Sequence, residues 1–82
     1  MEIKLETKDR DDLERLHYRV HALIALIRNV GAKDELVEEF CDVFRLYDKQ
    51  KDFVTEKYVP EEFRTENHTW QADFENCLLR VC

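Results

Sequence analysis

Apolar side chains at Leu13, Leu16, Val20, Leu23, Ile27 and Val30 fall at intervals of 3, 4, 3, 4 and 3. That rhythm is the buried seam of an amphipathic helix packed lengthwise against other helices. Thr7 or Asp9 is placed to cap its start, and Asp9, Asp11 and Asp12 put negative charge at the positive end of the helix dipole. Gly31 supplies the left-handed residue that ends it. Within this helix, Ala22 to Ile27 is apolar almost all round. A helix apolar on every side is buried on every side, and a short chain has few helices with which to surround it. A second copy of the chain is the expected cover.

The pattern resumes after the glycine. Leu36, Phe40, Val43, Tyr47 and Val54 lie near one line, with Val37, Cys41 and Phe44 beside it. Asp48 to Asp52 interrupts the apolar positions but holds no helix breaker, so the second helix is expected to continue to about Lys57. Pro60 ends it, because the residue before proline avoids helical geometry. Proline also suits the first position of a helix. Phe63, Asn67, Trp70, Phe74, Cys77 and Val81 then repeat the spacing 4, 3, 4, 3, 4. A third helix is expected there, with the polar Asn67 as a defect or a register device on its seam. Glu2 to Glu6 alternates polar and apolar, and residues 1–8 read as an extended or disordered arm, able to pair as a strand across a dimer.

The expected fold is therefore all-α. It is a three-helix up-down bundle or a helical hairpin, completed by dimerisation, in one small domain spanning residues 1–82. Composition agrees: a single glycine and a single proline leave little material for the many tight turns of a sandwich or barrel. The N-terminus is too polar for a signal peptide, no run approaches a membrane span, and a cytoplasmic setting is expected. Three cysteines make a disulfide framework improbable there. Cys41 and Cys77 are read as small buried hydrophobes, and Cys82 as an exposed terminal residue.

Charge changes the functional picture. The net charge is −6. Residues before 34 carry seven basic and six acidic side chains, whereas those from 34 onward carry six and thirteen. Such a surface disfavours direct contact with nucleic acid or an anionic membrane and attracts a basic protein surface. The excess is concentrated where Glu35, Glu38, Glu39 and Asp42 cover one outward stripe of the second helix. This stripe is either a solvated face or a docking surface, and Glu35, Glu38, Glu39 and Asp42 are the candidate partner-binding residues. Small size, acidity and helical content are shared with phage and plasmid inhibitors of host nucleic-acid machinery, a likeness of composition that transfers no residues.

No catalytic or cofactor motif is present, no cofactor is expected, and the chain is expected not to be an enzyme. The reading is an acidic helical interaction module, a small regulator or inhibitor docking on a basic, nucleic-acid-binding site of a larger protein. The alternatives are a self-assembling structural subunit, with Leu23, Leu26 and Ile27 as the homodimer interface, and a metal-binding helical protein using His17 and His21. Those two histidines lie one helical turn apart, and Glu14-x-x-His17 has di-iron spacing, but no second Glu-x-x-His exists, and a zinc site needs two further ligands from some combination of Cys41, His68 and Cys77. Tyr18 and Phe53 look off-seam and are expected on an exposed contact patch.

Overall fold

The computed structural model describes residues 1–65 and 68–81. Two long helices, α1 (Thr7–Val30) and α2 (Asp34–Tyr58), form an antiparallel hairpin. A three-stranded antiparallel sheet of β1 (Glu2–Lys4), β2 (Trp70–Asp73) and β3 (Leu78–Val81) completes the molecule, in the order β1-β3-β2. The chain measures 41 × 26 × 17 Å, its long axis set by helices of about 36 Å. No helix is long and apolar enough, among the described residues, to cross a membrane.

The helical hairpin follows the sequence closely. Gly31 sits at φ 92°, and its N–H donates to the Ile27 carbonyl at 2.9 Å, closing α1 where the glycine was expected to act. α2 runs unbroken through Asp48–Asp52 and stops at Tyr58, two residues before Pro60. The cap of α1 differs from expectation. Glu6, not Thr7 or Asp9, occupies the N-cap position, without a side-chain cap bond. Asp9 lies inside the first turn and is buried.

The expected third helix is a β-hairpin. Glu61–Phe63 makes a single 3-10 turn, and the chain then becomes extended at Trp70. The Asp73 carboxylate accepts from the Asn76 backbone N–H at 3.1 Å and its side-chain amide at 2.9 Å. This local closure competes with a helical turn. Cys77 follows at φ 58°, a left-handed conformation that a continuing helix cannot contain. Burial in β3 has a period of two: Leu79 and Val81 are buried while Arg80 is exposed. An all-α fold thus gives way to a helical hairpin backed by a sheet. Asn67 and Cys82 lie outside the described residues.

β1 finds its partner within the chain. Ile3 pairs with Leu79, and the flanking pair Met1 and Val81 exchanges backbone bonds of 3.1 and 2.8 Å. Strand pairing of β1 therefore needs no second copy. On the outer face, Arg80 bridges Glu2 at 3.2 Å and Asp73 at 3.0 Å, linking the middle strand to both neighbours.

Two apolar clusters divide the molecule. At the base, Leu5, Leu13, Val54, Val59, Leu79 and Val81 join the sheet to the helices. Towards the tip, only Val20, Leu23 and Val43 among the described residues are buried between α1 and α2. A layer two helices thick cannot bury a whole seam, so Val30 and Phe44 are exposed. Cys41, expected in the core, is exposed for the same reason.

Candidate interaction face

Glu35, Glu38, Glu39 and Asp42 are all exposed on α2. Asp34 and Glu35 occupy the first turn, where the helix dipole favours carboxylates. Arg19 of α1 donates to Glu39 at 2.7 Å and identifies which side of α1 adjoins the stripe. Asp42 lies 4.0 Å from Arg45. Glu35 and Glu38 make no ion pair among the described residues. Both partners of Arg19–Glu39 are about half exposed, so the pair adds little to stability and mainly fixes orientation.

Helix periodicity extends this face. Leu46 lies one turn beyond Asp42, and Leu26 lies two turns beyond Arg19 on α1. Leu46 is 54% exposed and Leu26 43% exposed. Carboxylates flanked by wet leucines make an amphipathic face suited to a partner that is both basic and apolar. Of the expected oligomer residues, Leu23 packs inside the chain against Val20 and Val43, Ile27 is half-buried, and Leu26 stands out in solvent. Tyr18 and Phe53 are exposed. On the other flank of α2, Phe40 and Phe44 lie 5.6 Å apart, with Phe44 also exposed.

The histidine pair is spent differently. His17 and His21 have ring centroids 4.3 Å apart, but His17 Nδ1 shares a 3.0 Å hydrogen bond with the Tyr47 hydroxyl. No group of three His, Cys, Asp or Glu side chains is placed to hold a metal ion among the described residues. Burial, and then the neighbouring His21, holds the His17 pKa below 6.5, while Glu14 opposes them. Burial, followed by Asp48, raises that of Tyr47, so the phenol stays protonated. Cys77 Sγ donates to the Leu5 carbonyl at 3.2 Å, a packing role.

His17 and Tyr47 also line a cleft of about 710 Å³ between α2 and β2. Leu13, Trp70 and Phe74 supply apolar wall, and Asp48, Lys51, Asp52 and Thr55 descend one side of α2. In its wall, the Trp70 indole N–H donates to Thr55 Oγ1 at 2.9 Å. Sequence patterning missed this cleft because it needs β2 beside α2, which a third helix would not provide.

One further cluster holds the base together. The buried Asp9 carboxylate accepts from Lys57 Nζ at 2.7 Å and from the Tyr58 hydroxyl at 2.5 Å. Tyr58 in turn accepts from the Glu6 N–H at 3.1 Å, and Lys57 also reaches the Glu6 carboxylate at 3.0 Å. The hydrogen bond from Lys57 and then that from Tyr58 lower the Asp9 pKa despite burial. Lys57 is raised, chiefly by its bonds to Asp9 and Glu6. No family model, curated protein or solved structure matches this chain.

Proposed function

We propose that the protein is a non-enzymatic interaction module that docks its acidic face on a basic surface of a larger protein. The role that follows is that of a small regulator or inhibitor occupying a nucleic-acid-binding site. The single observation carrying this reading is the exposed run Glu35, Glu38, Glu39 and Asp42, flanked by the solvated Leu26 and Leu46. Charge steers the encounter and selects the partner, and the leucines supply burial once contact is made. The base half, with its own core and its Asp9 anchor, holds the tip in place.

The test uses the partner captured from the native host and then purified. Its affinity for the wild-type chain should fall steeply with salt. The triple variant Glu35→Lys, Glu38→Lys, Glu39→Lys should bind at least about a hundredfold more weakly while keeping its helical signal. Normal binding by that variant reduces the stripe to a solvating role.

A second reading, self-association into a homodimer, is favoured by the thin tip. Three residues are buried there, and Leu26, Val30, Val37 and Phe44 are left exposed. Sedimentation over a wide concentration range separates the readings: a monomer throughout removes the dimer and leaves the docking proposal standing.

A further inference from the structure

The backbone pairing of the sheet fixes which groups of β2 are free. Met1 and Val81 exchange two backbone bonds, and the Leu5 N–H donates to the Cys77 carbonyl at 2.9 Å. Odd-numbered residues of β3 therefore direct their backbone groups to β1, and Leu78 and Arg80 direct theirs to β2. Their β2 partners are Asp73 and Gln71. The N–H and C=O groups of Trp70 and Ala72 consequently point away from β3, along an edge that pairs with no further strand among the described residues. At the end of that edge the Phe74 carbonyl accepts from Arg10 of α1 at 3.2 Å, so the edge faces the helices. The cleft of about 710 Å³ lies there: Trp70, Gln71 and Ala72 line it, and no residue of β3 does.

We propose that this cleft receives an extended peptide of alternating apolar and basic residues, added to β2 as a fourth strand. Unpaired strand-edge groups beside a helix supply backbone bonds for any sequence, and the flanking pockets select alternate side chains. Leu13, Tyr47 and Trp70 form the apolar wall. On the α2 rim, Lys51 is engaged by Asp48 at 3.5 Å and lies 4.7 Å from the centre of the Tyr47 ring. Asp52 makes no ion pair among the described residues and faces the partner's basic positions. A second copy of this chain fits less well, because its β2 is itself backed by α2 and cannot enter the recess.

The probe is a mixture of capped octapeptides with valine or leucine at odd positions and lysine or arginine at even ones. On binding, amide hydrogen exchange should slow at Trp70 and Ala72 but not at Gln71 and Asp73, which are already bonded to β3. Ala72→Pro removes an outward N–H at a position where an edge strand tolerates proline, and should weaken binding about five- to tenfold. Asp52→Lys, which leaves the strand untouched, should weaken it about fivefold. The triple variant of the acidic stripe, centred about 20 Å away along α2, should bind the peptides normally at about 0.15 M salt. Unchanged exchange at Trp70 and Ala72 overturns the proposal. So does protection of those amides without peptide in a species of dimeric mass, which would assign the edge to a second copy.

Discussion

The hydroxyl of Tyr58, the last residue of α2, lies 2.5 Å from the buried carboxylate of Asp9 in the first turn of α1. With Lys57 on the same carboxylate, this contact ties the two ends of the helical hairpin together beneath the sheet. Asp9 is the one buried charged side chain among the described residues, and its Oδ2 accepts from both Lys57 and Tyr58.

Asp9→Ala should therefore cost about 2–3 kcal/mol, since it removes two charge-assisted bonds at a buried position. Chemical denaturation at neutral pH measures this. The native carboxyl titrates below 3.8, so its contribution is present above that value and lost as pH falls through the native pKa. In the alanine variant, that part of acid destabilisation should disappear.

His17 titrates in a separate window. Its native pKa is held below 6.5, so the unfolded chain binds the proton first as pH falls. Stability from this site is complete above 6.5 and declines below it. His17→Gln should flatten the fall in denaturation midpoint between about pH 7 and pH 5. An unchanged slope would place the titrating group elsewhere.

Adjacent leucines in β3 should respond unequally. Leu79 is fully buried and Leu78 only partly so. Leu79→Ala should cost about 3 kcal/mol and Leu78→Ala less than about 1 kcal/mol. The reverse order, or equal losses, would contradict the strand register.

Leu26→Lys should leave the stability of the monomer within about 0.5 kcal/mol, because the side chain is largely in solvent. The same variant should abolish any concentration-dependent association seen for the wild type. Sedimentation of both proteins at matched concentrations gives the answer.

The helical hairpin was legible because its signals agree locally. The 3-and-4 spacing from Leu13 to Ile27, the Gly31 stop and the unbroken Asp48–Asp52 segment all depend on near neighbours. Residues 70–81 are ambiguous in sequence because Trp70, Phe74, Cys77 and Val81 also fit a helical seam. The competing signals were the alternation of Trp70 with Ala72 and of Leu79 with Val81, around the Asp73–Asn76 turn. What decided between them was distant: β1, more than seventy residues away, needs β3 as its partner. The acidic stripe was legible as an outward face, whereas Arg19–Glu39 depends on the register of one helix against the other. The sequence around Asp9 shows only its place near the helix dipole for the same reason, since its partners arrive from the far end of α2.

Residue-by-residue carbodiimide labelling of carboxylates, on the free chain and on its complex with the captured partner, tests most directly whether the tip is the working surface. Glu35, Glu38 and Asp42 should lose reactivity in the complex, while Glu61 and Glu62 at the base react as before. Full labelling of the three tip carboxylates in a stable complex would show that the partner sits elsewhere.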